Sequence, residues 1–187
     1  MKKVVLFVFV MLFCSAVFMS DAFSFRLGNK EMVRVGTGSR TMFVIGSVYY
    51  ATLYVPQELK GKSAEEIINA DEPMSVIMQV SSRLITREKF IKAVREGFGK
   101  SAASGYRTDK SEQFLSLFDS TDLSVGDKVY LNYVPGAGLT ASVWTKSTNQ
   151  TKTVGTTAGL PFKKALYAIW LGPNPVQAGL KRGMLGQ

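Results

Sequence analysis

The chain has 187 residues, 46% of them apolar and 20% charged, with a formal charge of +9; this is the make-up of one folded domain with a real core, not of a disordered chain. It has no histidine and a single cysteine, Cys14, which excludes a Ser-His-Asp triad, a histidine general base and most zinc and copper sites, so neither a metal nor a cofactor is expected. The basic residues are scattered and do not alternate with aromatics, which argues against nucleic acid and leaves weak contact with an anionic membrane surface as the partner the charge suggests.

In chain order, MKK is a basic start, VVLFVFVMLF is a ten-residue apolar run, and Ser20-Asp21-Ala22 offers small residues for cleavage. Residues 1–22 therefore read as a cleaved secretory signal, too short an apolar run for a membrane span. The protein is expected to be periplasmic or secreted, with one domain over 23–187 and a charge of +8 once Lys2, Lys3 and Asp21 are removed. That domain has no cysteine, hence no disulfide and no thiolate chemistry.

Short strands are expected at Phe25–Leu27 and Met32–Val35, either side of the Gly28-Asn29-Lys30 turn. The stretch GTGSR (36–40) reads as a tight turn, and from Arg40 to Val55 no further charge appears. Gly46-Ser47 suits a two-residue hairpin turn, and Pro56 ends the strand. Ser63 and Glu66 have the spacing of a capping box for a helix over 64–69, and Met74–Val80 is an apolar strand. From Thr86 a helix places Phe90, Ile91, Val94 and Phe98 on one face. Asp109 is expected to cap a second helix carrying Phe114, Leu115, Leu117 and Phe118. Alternation returns in DKVYLNYV, LTASVW and TKTV. A helix after Gly159 then buries Phe162, Leu166, Ile169 and Trp170, and Val176–Leu185 forms a last short helix. Strands, helices, strands and helix without a βαβ rhythm define an α+β fold, an antiparallel sheet with helices on one side. No phosphate-binding loop, dinucleotide fingerprint or calcium loop is present.

The order G-x-G-x-R with VYYATLYVP, then TREKFIKAVREGF, GDKVYLNYVPGAG and AIWLGPNPV resembles the bacterial chalcone isomerase-like proteins, relatives of the plant chalcone isomerases and plastid fatty-acid-binding proteins. The resemblance spans about 25–186 and implies an open-faced β-sandwich with a cleft between a large antiparallel sheet and its helices. In the enzymes an arginine at this place stabilises the substrate oxyanion, and Arg40 matches it; a threonine on the next strand is matched by Thr52. Their catalytic helix carries a tyrosine and, seven residues on, an asparagine, where this chain has Phe90 and Gly97. Where they have Thr-Met, it has Ile169-Trp170. A phenyl ring cannot donate to an oxyanion, so the resemblance implies a binding protein over an isomerase.

In the fatty-acid-binding relatives the arginine and a strand tyrosine hold a carboxylate. An unbroken strand places Arg40 on one face with Tyr50, Thr52 and Tyr54. A tight hairpin at Gly46-Ser47 instead brings Tyr49 and Ala51 to that face, and a one-residue bulge returns Tyr54. Tyr54 is the favoured partner, Tyr50 the second, and Phe90 and Trp170 are expected to line the cleft. The leading function is thus an exported, non-catalytic protein binding an amphipathic carboxylate such as a fatty acid. The alternatives are a lyase or isomerase on a conjugated or phenolic substrate with Arg40 as oxyanion holder, and a structural module of the cell envelope.

Overall fold

The computed structural model describes residues 25–187, so the expected signal at 1–22 lies outside the described residues. Seven strands pair in chain order into one antiparallel sheet: β1 (Phe25–Leu27), β2 (Lys30–Met42), β3 (Gly46–Pro56), β4 (Met74–Val80), β5 (Lys128–Val134), β6 (Gly138–Thr145) and β7 (Gln150–Thr157). Alternation selects one face for the core. Ala51 and Leu53 of β3, Val76 and Met78 of β4, Val129 and Leu131 of β5, and Leu139 and Ala141 of β6 are all buried on it. Five helices cover that face: α1 (Ala64–Asn69), α2 (Arg87–Ala103), α3 (Ser111–Ser116), α4 (Leu160–Leu171) and α5 (Ala178–Met184). The class is the expected open-faced α+β sandwich. Among the described residues no helix is long and apolar enough to cross a membrane.

Local chemistry accounts for most of these elements. Ser63 and Glu66 form the reciprocal capping box of α1, and the Thr86 side chain accepts from the Lys89 amide to start α2, each satisfying amides that lack intrahelical partners. The hydrophobic centre is α4, in which nine residues are buried. Its Lys163 is fully buried and donates all three ammonium protons to the carbonyls of Ile67, Ile68 and Ala70 at the end of α1, at 2.8–3.0 Å. A helix C-terminus is the negative end of the helix dipole and has unpaired carbonyls, so one lysine satisfies both. Burial nonetheless pushes the Lys163 ammonium down to about 7, with Lys164 adding to the shift and Asp71 opposing it.

Three local expectations need correction. The stretch GTGSR is not a turn but the middle of β2, and neither Gly36 nor Gly38 has a positive φ. Both glycines face α5. A Cβ on Gly38 would lie 2.1 Å from the Leu180 carbonyl oxygen, and one on Gly36 would lie 2.3 Å from that of Gly183. Helix and strand backbones touch there, which only glycine permits. The hairpin turn falls at 43–45, not at Gly46-Ser47: Met42 pairs with Gly46, and Val44 and Gly46 take the left-handed conformations, at φ 72° and 80°. Lastly, α3 starts from Lys110 rather than Asp109, without a side-chain cap.

Candidate functional site

Register decides which side chains meet Arg40. With the turn at 43–45, Arg40 pairs directly with Tyr49, and directly paired residues share a face. Gly36, Gly38 and Arg40 pair with Leu53, Ala51 and Tyr49, all on the helix-covered face. The two glycines that admit α5 therefore also aim the arginine at the edge of the helix layer. Gln177, just before α5, fixes it there. Its Oε1 accepts from Arg40 Nη1 at 3.2 Å and from the Thr41 amide at 2.9 Å, and its Nε2 donates to Thr41 Oγ1 at 2.8 Å. Arg40 Nη1 also donates to the Thr41 carbonyl at 2.8 Å. The half-buried guanidinium has no carboxylate partner among the described residues.

A cavity of about 120 Å³ opens beside it, with β3 and β4 supplying Tyr49 and Met78, α2 supplying Phe90 and Val94, and α4 supplying Ile169 and Trp170. Its walls are apolar, and Glu96 and Lys100 stand at its rim. Tyr49 is the polar group inside. Its hydroxyl accepts from the Trp170 indole N–H at 3.2 Å, which leaves its own proton to offer. Burial raises the Tyr49 pKa, against the smaller opposing effects of the Trp170 hydrogen bond and the Arg40 charge, so the phenol is neutral at physiological pH. The site thus presents a guanidinium and a phenol O–H at one end of an apolar hollow. Two donors and no histidine or thiol suit holding an anion better than moving protons.

Gly97 and Ile169 occupy one another's space in this wall. A Cβ on Gly97 would lie 2.7 Å from Ile169 Cγ2. A small residue on α2 thus admits a larger one on α4.

Of the residues singled out in the sequence, Arg40, Phe90 and Trp170 meet at this cavity. Tyr50, Thr52 and Tyr54 do not. They lie on the opposite face of the sheet, in a groove of about 410 Å³ shared with Thr37, Lys128 and Tyr130. There Thr52 is hydrogen-bonded to Thr37 at 2.8 Å, Tyr54 is buried with its ring edge-on to Phe25, and Lys128 sits over the Trp144 ring. The hydroxyl pair and the cation of that groove are thus already engaged. The physical reason for the correction is register, since moving the turn to 43–45 and a bulge between Arg40 and Thr41 reverse the face assignment of an unbroken strand. The tight-hairpin alternative had the right face for Tyr49 and the wrong turn. Gln177 had no local signal, because its partners lie 136 and 137 residues away.

Comparison with known proteins agrees with this architecture. A family model described as chalcone isomerase-like matches residues 17–186. The chain belongs to the chalcone isomerase-like family. Among solved structures it is similar to a fatty-acid binding protein of Arabidopsis thaliana, with a TM-score of 0.62, 17% identity, and coverage of 85% of this chain and 88% of that one. No curated protein matches the chain.

Proposed function

We propose that this is an exported, non-catalytic binding protein for a small amphipathic carboxylate, with Arg40 and Tyr49 on the head group and the Phe90–Trp170 hollow around the first part of the tail. The observation that carries it is a guanidinium without an acidic partner, fixed by Gln177 at the mouth of an apolar cavity. The Arabidopsis neighbour, itself a fatty-acid binding protein, supports the ligand class. Export rests on the pattern of residues 1–22, and weak attraction to anionic surfaces on the charge of +8 that remains beyond them.

Volume sharpens the ligand. About 120 Å³ is close to the ~150 Å³ that holds a benzene-sized molecule and well below the roughly 300 Å³ where drug-sized pockets begin. A carboxylate with a short tail fits as the site stands. A long acyl chain exceeds this volume. The non-catalytic reading is favoured over an oxyanion-stabilising isomerase because Phe90 lines the wall where the resembling enzymes have a hydroxyl.

The test is calorimetric titration of linear carboxylates of increasing length into wild type and Arg40→Ala. Losing the charge-assisted bond should cost roughly 1.5–3 kcal/mol, ten- to a hundredfold in affinity. Tyr49→Phe should cost about 0.5–1.5 kcal/mol. Equal affinity in all three proteins, or no binding of any length, sinks the reading. Turnover of a chalcone that disappears in Arg40→Ala favours the isomerase alternative.

A further inference from the structure

All seven large apolar side chains exposed among the described residues lie toward one end of the sheet: Met42, Phe43, Val44, Ile45, Tyr50, Leu84 and Val125. The pairings Met42–Gly46, Tyr49–Val80, Gln79–Lys128 and Lys128–Trp144 bring the β2–β3 turn, the loop after β4 and the loop before β5 to that same end. The turn protrudes furthest, with Phe43 97% and Val44 91% exposed. Scattered apolar residues are ordinary on a surface, but four consecutive exposed apolar residues at 42–45 mark an interaction site.

Val44 makes the case stronger. It holds φ 72°, a left-handed conformation that a β-branched residue adopts only at a cost and that asparagine or glycine takes readily. Neither backbone geometry nor packing accounts for a valine there, since its side chain packs on little of the molecule. What remains is the side chain it presents outward.

We propose that the 42–45 tip, with Leu84 at the same end of the sheet, inserts into the interface of an anionic lipid bilayer. Charge selects this occupant. The hairpin has no acidic residue between Glu31 and Glu58, Arg40 stands at its base, and exposed Arg83 adjoins Leu84. The exposed acids Glu88 and Asp122 are both paired to Arg87. An apolar tip with Arg40 at its base and no acid in its hairpin fits lipid tails below anionic head groups. Arg40 and Ile85 also line the cavity, so docking sets its mouth at the depth of lipid head groups. That route for a ligand rests on the carboxylate reading; the docking itself does not.

The experiment is flotation of the purified protein with vesicles of phosphatidylcholine alone and of phosphatidylcholine mixed with phosphatidylglycerol. Wild type should float with the anionic vesicles and much less with the neutral ones. The double variant Phe43→Ser, Val44→Asn should lose about tenfold or more in partitioning. Because asparagine suits the left-handed position, its melting temperature should not fall, so unfolding cannot explain the loss. Wild type that does not float, or a variant that floats equally, overturns the proposal. So does a dimer in lipid-free solution that the variant abolishes, which assigns the tip to a second copy. Titration of butanoate and hexanoate into both proteins in the absence of lipid is read separately. Equal binding by both is expected, and absent binding with normal flotation overturns the pocket reading alone.

Discussion

The two ends of the sheet are built on opposite plans. At the end with the β1–β2 turn, several charged groups are paired within the chain. Lys163 gives three protons to three carbonyls, the Tyr133 hydroxyl donates to Asp71 at 2.5 Å, and Lys30 bridges Glu58 and Glu72. At the end with the β2–β3 turn, Arg40 has no acidic partner among the described residues, and the exposed large apolar side chains stand in solvent. Each end thus contains a notable cation, and they differ in what is left to bond. Lys163 is spent on the fold. Arg40 is held in place by Gln177 and keeps part of its hydrogen-bonding capacity for something outside the chain.

The largest effect that would break this contrast lies in the seam between the two ends. Gly38→Ala puts a methyl group 2.1 Å from the Leu180 carbonyl oxygen, so α5 must lift from β2, carrying Gln177 with it. A loss of more than about 3 kcal/mol in urea denaturation is expected, with carboxylate affinity falling as well. A loss below 1 kcal/mol would mean that the seam tolerates slack.

Next comes the paired end. Lys163→Met strands three helix-end carbonyls and should cost about 3 kcal/mol at pH 7. The pH dependence has a definite sign. The folded-state value of about 7 lies below the ordinary lysine value of 10.5, so the unfolded chain binds the proton more tightly. Stability from this group therefore rises as pH increases from about 7 toward 10.5, and the full penalty applies below 7. Denaturation of both proteins at pH 7 and pH 9 should show the gap between them widening. A gap that narrows would place the Lys163 pKa above its ordinary value.

Smaller effects are expected at the open end. Arg40→Ala removes hydrogen bonds to Thr41 and Gln177 from a half-buried site, and should change stability by about 1 kcal/mol at most while weakening anion binding. A large stability loss would move Arg40 into the same class as Lys163. Val44→Asn should have the reverse sign, stabilising by roughly 0.5–1 kcal/mol as backbone strain is relieved. A thermal melt suffices to check it.

The elements that sequence reveals here are those whose causes are local. The capping box of α1, the alternation of β5 and the apolar face of α2 each lie within a few residues, and each is where it was expected. The GTGSR stretch was illegible because its glycines answer to Leu180 and Gly183, which lie about 140 residues further on. The turn at 43–45 was missed because it is made of Phe43, Val44 and Ile45, none a turn residue, while Gly46-Ser47 offered the only local signal. That displacement, with its bulge, exchanged Tyr54 for Tyr49. Arg40, Phe90 and Trp170 were legible through the family pattern. Gln177 and Lys163 were not, since nothing nearby distinguishes them from surface side chains.

The mutual fit of Gly97 and Ile169 has a bearing on descent. An asparagine at 97 arriving alone would collide with Ile169, while a smaller residue at 169 arriving alone would leave a void beside Trp170. The two positions are therefore coupled through packing, so a change of size at one calls for a change at the other. Across relatives they should covary, small with large.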